Sequence, residues 1–248
     1  MNIHKEYSYK TQSDTVIVFI HGIQGSPYQF NYMIEALDNK YSIENLLLPG
    51  HGGTAKDFSK TSMQAWQSHV DERIAVLEQE YENIIIVGHS MGGLLAVQSA
   101  LTYPNKIKGL FLLAIPLVLQ MRFRFIEQSL IIGFTKRNDN EVIVAARKAN
   151  SISTKSAFEY LACTPRYVEL LRKSNATRKL LGELDIPITI IQSSDDEIVS
   201  RKSLHYVKNH ENVKTLIAEN SGHYYYPQES QEFIIYEFLG YLSGILTT

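Results

Sequence analysis

Residues Thr15–Ile20 read TVIVFI, an unbroken apolar run rich in β-branched side chains. A strand with one wet face alternates polar and apolar residues. A run without alternation is a strand buried on both faces, and that requires helices on both sides of its sheet. The rest of the chain repeats the pattern. Ile43–Leu48, Asn83–Val87, Ile107–Ile115, Ile188–Ile191 and Val213–Ala218 are further runs of strand length. Helical patterning falls between them, at about 28–40, 62–81, 91–103, 201–208 and 230–242. In the second of these, Trp66, Val70, Ile74, Leu77 and Tyr81 recur at three- and four-residue steps and form one apolar face. Ser26 and Pro27 are a cap and an opening residue for the first. Pro104 and Pro116 stop the helix and the strand that they follow. This is the order of a mostly parallel α/β sheet.

The alternation fails between residues 117 and 184, where helical patterning continues without a clear strand. Phe158, Leu161, Val168, Leu171 and Leu181 are expected on helix faces there. The chain therefore divides into a core, 1–116 and 185–248, and an inserted helical segment, 117–184.

A chain of 248 residues buries about three quarters of its unfolded surface, so one large domain needs no covalent staple. With a net charge of −2 and a pI near 6.5, it lacks the basic excess of a nucleic-acid binder. Its single cysteine, Cys163, excludes an intrachain disulfide and fits a reducing compartment. The N-terminus lacks a basic region followed by an apolar one, and no run reaches the ~18 apolar residues that cross a bilayer. A cytoplasmic protein without stable membrane insertion is expected.

Gly88-His89-Ser90-Met91-Gly92 matches G-x-S-x-G. Average residue usage produces this pattern in roughly one chain in ten, so alone it is weak. Its place between a strand and a helix is far more telling. A nucleophile held on a sharp strand-to-helix turn needs small residues two before and two after it, and Gly88, Gly92 and Gly93 meet that need. The turn lifts the Ser90 hydroxyl above the sheet edge and aims the first helix amides at whatever it attacks.

A serine hydroxyl needs a base at neutral pH, and a histidine base needs a carboxylate to orient it. The loop after Val213–Ala218 carries His223, next to Gly222. The loop after Ile188–Ile191 carries three adjacent acids, Asp195, Asp196 and Glu197, of which at most one points at the imidazole while its neighbours are turn or capping residues. His205 and His210 sit on or beside a helix with a polar face and read as solvated. An oxyanion formed in the attack needs two amide donors. Met91, directly after the nucleophile, is one candidate, and Ile23, in the loop His21-Gly22-Ile23-Gln24-Gly25, is the other.

HGIQGSP at 21–27, LPGHGGT at 48–54, GHSMGG at 88–93, DEIV at 196–199 and SGH at 221–223 occur in that order. Together they resemble the α/β-hydrolase superfamily, and within it the carboxylesterase and monoacylglycerol-lipase branch. The resemblance covers nearly the whole chain outside the insert. It implies an α/β-hydrolase fold with Ser90 as nucleophile, His223 as base, Asp196 as the orienting acid, and Ile23 with Met91 as the oxyanion hole. His21 and His51 then belong to structural turns and His89 to packing, and 117–184 lies where the family places its cap, or lid.

The implied function is hydrolysis of a small-molecule acyl ester, short- to medium-chain or monoacylglycerol-like, through an acyl-enzyme. No metal or organic cofactor is required. A thioesterase or acyltransferase and a carbon–carbon bond hydrolase use the same residues and remain alternatives, as does a binding protein that keeps the fold without catalysis. Dehalogenase and epoxide-hydrolase chemistry needs a carboxylate at position 90. The insert opens on Leu117, Val118, Leu119, Met121, Phe123, Phe125, Ile126, Leu130, Ile131, Ile132 and Phe134, an apolar set suited equally to an acyl pocket and to packing. Arg122 and Arg124 are read as solvated, and Cys163 as a packing residue.

Overall fold

The computed structural model describes residues 4–120, 140–154 and 157–246. Seven strands make one sheet: β1 (Tyr7–Tyr9), β2 (Thr15–Ile20), β3 (Ser42–Leu46), β4 (Asn83–His89), β5 (Ile107–Leu113), β6 (Ile188–Ser193) and β7 (Val213–Ala218). Their order is β1-β3-β2-β4-β5-β6-β7. β1 runs antiparallel to β3, and every other pair of neighbours is parallel. The helices are α1 (Asn31–Glu35), α2 (Ala55–Ser59), α3 (Met63–Leu77), α4 (Met91–Thr102), α5 (Glu141–Ala149), α6 (Thr164–Leu180) and α7 (Gln228–Leu246).

β2 shows why its sequence does not alternate. Val16, Val18 and Ile20 pack with Trp66, Val70 and Ile74 of α3 and with Leu94 of α4. Ile17 and Phe19 pack on the other face with Phe30, Met33 of α1, and Ile234 and Phe238 of α7. Phe19 is wholly buried, with ring centroids 5.2 Å from Phe30 and 6.4 Å from Phe238. Truncating such a side chain to alanine costs about 3–5 kcal/mol.

Several boundaries differ from the sequence expectation. The helix expected at 28–40 is a 3₁₀ turn, Pro27–Phe30, followed by the short α1. Ser26 caps it as anticipated, accepting from the Tyr28 amide, but Asp38 and Asn39 take positive φ and end it early. The helix expected to reach Tyr81 stops at Leu77. Glu78, Glu80 and Glu82 follow, and acidic residues are unfavourable at the negative end of a helix. The segment expected as a helix at 201–208 is a 3₁₀ turn, Arg201–Tyr206. Two elements have no counterpart in the sequence reading. β1 is a short strand laid along β3, and α2 is a single turn held by a capping box between Thr54 and Asp57.

Between β5 and β6 the described residues form α5, a 3₁₀ segment Ala157–Cys163, α6 and a 3₁₀ turn Leu181–Glu183. α6 buries Leu170, Ser174 and Thr177. Leu161 (68% exposed), Val168 (39%) and Leu171 (50%) face solvent, so the face inferred from them is not the packed one; Leu181 alone of the described members is buried. The apolar residues from Met121 to Phe134, with Arg122 and Arg124, lie outside the described residues. Cys163 is buried and takes part in no disulfide. No helix among the described residues is long and apolar enough to cross a membrane.

Candidate active site

β4 ends at His89 and α4 begins at Met91, which leaves Ser90 alone to turn the chain. Its φ of 52° and ψ of −121° lie where L-residues are strained. The turn is held by Ser90 N–H donating to Leu113 O at 2.9 Å and by Gly93 N–H donating to Ser90 O at 2.9 Å. It is tight enough that a Cβ on Gly92 would stand 1.9 Å from Ile20 O. The glycine lets the start of α4 lie against the end of β2.

Ser90 is 3% exposed, and His223 and Asp196 are 1% exposed each. The Ser90 hydroxyl lies 3.1 Å from His223 Nε2. His223 Nδ1 lies 2.9 Å from Asp196 Oδ2. The other carboxylate oxygen of Asp196 accepts the Ile198 and Val199 amides at 2.8 and 2.7 Å. Of the three adjacent acids, Asp196 is thus the one at the imidazole. Asp195 is exposed and accepts from the Ser194 hydroxyl. Glu197 lies in the same turn, is buried, and accepts the His223 amide at 3.1 Å, a tie that the sequence reading did not include. The cue in the sequence was only that Glu197 adjoins Asp196.

Burial disfavours charge on Asp196, yet the charge of the adjacent His223 and three hydrogen bonds, from His223, Val199 and Ile198, outweigh it and hold its carboxyl below the usual range. Burial likewise opposes protonation of His223, but Asp196 and then Glu197 reverse that, so the imidazole sits above its ordinary value. With Asp196 ionised as acceptor, the proton of neutral His223 resides on Nδ1, and Nε2 is free to accept from Ser90.

The loop 21–25 packs directly beside the serine: a Cβ on Gly22 would stand 2.9 Å from the Ser90 Cβ. Three histidines fix this surround. His21 Nδ1 donates to Gly22 O at 2.8 Å and its Nε2 accepts from Leu48 N–H at 3.0 Å. His51 Nε2 accepts from Gln24 N–H at 3.1 Å, and burial holds the His51 pKa down to about 4. His89 Nε2 donates to His223 O at 2.9 Å, which ties the elbow to the base loop; burial, then the neighbouring His223, holds its pKa near 3. Met91 is the first residue of α4, so its amide is among those that find no partner inside the helix. Ile23 is buried in the loop, and its carbonyl accepts from the Tyr224 hydroxyl at 3.4 Å. The signal for Tyr224 in the sequence was its place next to His223. His205 is exposed and His210 half-buried, both away from this cluster.

The segment between β5 and β6 reaches the site at two places, near its start and near its middle. Gln120 Nε2 donates to Asp196 O at 3.1 Å and Gln120 N–H to Ile198 O at 2.7 Å. Ser151 N–H donates to Gln24 O at 2.9 Å, and its hydroxyl to Gly25 O at 2.6 Å. Among the described residues, no cluster of three or more His, Cys, Asp or Glu side chains is placed to hold a metal ion.

The model of the alpha/beta hydrolase fold family matches residues 15–168. The chain is 32% identical over 114 residues to an uncharacterized hydrolase, YugF, of Bacillus subtilis (strain 168), which covers 46% of this chain and 41% of that protein. It is 30% identical over 90 residues to a thermostable monoacylglycerol lipase of Bacillus sp. (strain H-257), covering 36% of each. The matched segments therefore span less than half of these relatives. Among solved structures, one from the metagenome-derived lipolytic enzymes LipS and LipT superposes with a TM-score of 0.75 at 20% identity, covering 97% of this chain and 98% of that one. The monoacylglycerol lipase of Paleococcus ferrophilus gives a TM-score of 0.68 at 17% identity, covering 95% and 97%. The family match takes in more than half of the chain, from β2 through the elbow into α6, and on it the chain belongs to the alpha/beta hydrolase fold family.

Proposed function

We propose that the protein is a serine hydrolase that cleaves carboxylic esters of short to medium acyl chains, or monoacylglycerol-like esters, through an acyl-enzyme on Ser90. The observation that carries this reading is the buried chain of contacts from Ser90 Oγ to His223 Nε2 (3.1 Å) and from His223 Nδ1 to Asp196 Oδ2 (2.9 Å). His223 takes the Ser90 proton as Oγ attacks the ester carbonyl, and Asp196 stabilises the imidazolium. The Met91 and Ile23 amides receive the developing oxyanion. His223 then returns the proton to the departing alkoxide. Water enters, gives a proton to His223, and attacks the acyl-enzyme; the acid leaves and Ser90 recovers its proton. Residues 117–184 act in this reading as the cap over the acyl group.

The lipolytic relatives support the ester rather than the thioester or carbon–carbon reading, and a lactone is an internal ester open to the same chemistry. The test is turnover of p-nitrophenyl esters from two to sixteen carbons by the wild type and by Ser90→Ala. We expect a chain-length optimum that falls by a factor of about 10³–10⁶ in the variant. Equal, background rates for both proteins on every ester would sink the reading.

A further inference from the structure

Glu197 follows Asp196 into the same turn, but its surroundings are those of a group built into the site. It is 5% exposed. Its Oε2 accepts the backbone amide of His223 at 3.1 Å. The chain makes room for it at Gly222, where a Cβ would stand 3.1 Å from that same oxygen. Burying a carboxylate is costly, and a merely structural tie to one amide is made as well by a neutral acceptor.

The groups facing His223 come from three elements. The loop after β6 contributes Asp196 on the ring and Glu197 on the backbone. The elbow contributes Ser90 on Nε2, and His89, whose ring lies 4.9 Å away and is kept neutral. The base's own loop contributes Tyr224, edge-on at 4.7 Å, and Tyr226, whose phenol, like that of Tyr224, feels both acids. Among these groups the two carboxylates are the anions that favour a proton on His223.

We propose that Glu197 is a positioning residue for the base: it anchors the His223 backbone where Nε2 meets Ser90, and its charge joins that of Asp196 in favouring the imidazolium formed as the proton leaves Ser90. This rests on the reading of Ser90 and His223 given above. Burial lowers the affinity of the imidazole for a proton, and Asp196 and Glu197 both raise it. Removing one of those two charges therefore moves the titration of His223 to lower pH.

The test uses Glu197→Gln, which keeps an acceptor for the His223 amide but loses the charge, and Glu197→Ala, which loses both. The first readout is the titration of the His223 imidazole by NMR in each folded protein, assigned with His223→Gln. The second is the acid limb of kcat/KM on a p-nitrophenyl ester. In Glu197→Gln the midpoint moves to lower pH by both readouts, and the high-pH kcat falls by a smaller factor than in Glu197→Ala, because the imidazolium formed as the proton leaves Ser90 has lost one of its two anions while the amide keeps an acceptor. In Glu197→Ala the midpoint moves likewise, and the high-pH kcat falls by about tenfold because the base loop is no longer held. An unmoved NMR midpoint in Glu197→Gln overturns the proposal. A moved NMR midpoint in a protein that cleaves no ester sinks the ester reading and leaves the role of Glu197 intact. If Glu197→Ala does not fold, the near-isosteric Glu197→Gln decides alone.

Discussion

Ser90 is held with φ at 52°, a conformation that costs a residue with a Cβ roughly 1–3 kcal/mol. That strain gives a clean comparison. Ser90→Ala and Ser90→Gly both remove the proposed nucleophile, but only glycine relaxes the turn. We expect the glycine variant to melt above the alanine variant by a margin on the order of 1 kcal/mol, as checked by thermal or denaturant unfolding. Asp196 makes a different prediction. Asp196→Asn keeps the side chain's shape but lets the imidazole carry its proton on the wrong nitrogen, so kcat should fall by about 10⁴ with KM little changed, in steady-state assays. The pH dependence follows from His223. Its imidazole must be neutral to act as base, and Asp196 holds it above the ordinary value against the effect of burial. Activity should therefore fall as pH drops, with the midpoint of kcat/KM above 6.5, the unperturbed value for histidine.

The elements surrounding the site depend on the chain between β5 and β6. Ser151 donates through both amide and hydroxyl to the carbonyls of Gln24 and Gly25, directly after Ile23. Ser151→Ala should cost about 1 kcal/mol of stability. It should also lower kcat, by less than the roughly 10² lost with a whole oxyanion donor; unchanged kcat at full folding would separate the segment from catalysis. None of these ties was visible in the sequence, because each joins residues more than a hundred positions apart through backbone carbonyls that carry no side-chain signature. Strands were legible for the opposite reason. β2 matches its expected limits because a buried parallel strand is written as an apolar run, and β7 matches them although it is an edge strand with Lys214 and Thr215 exposed. Short elements were not: β1 takes its place by pairing with β3, and Tyr7–Tyr9 has no pattern of its own. α2 was marked only by Thr54 and Asp57 three residues apart. On the face of α6, Leu171 and Val168 mimicked a core stripe while the packed side used Ser174 and Thr177. The residues that meet at Ser90 were legible as loops after successive strands, yet the choice among Asp195, Asp196 and Glu197 depended on which side chain turns inward.

At the scale of the molecule, three histidines near the site are buried and kept neutral, which ties stability to pH. His51 is held near 4 and His89 near 3, with His21 well below its usual value. All three are depressed, so the unfolded chain binds their protons first as pH falls through 6.5, and stability is lost from there downward. For His51 alone the loss grows to roughly 3 kcal/mol by pH 4. His223 is raised, so its contribution is fully present below 6.5 and does not offset that slope. The melting temperature should drop steadily between pH 6.5 and pH 4 in a buffered thermal scan, and a flat profile would mean that these rings take up protons inside the fold.

His223, the proposed activator of Ser90, is 133 residues away along the chain. At the usual pace of translation, a ribosome needs roughly 7–27 s to travel that far. The elbow is thus finished well before the imidazole exists, and a growing or prematurely ended polypeptide holds an alcohol no more reactive than any other on its surface. On the proposed function, placing the base after the last strand of the sheet makes synthesis of β7 and its loop the event that switches the chemistry on.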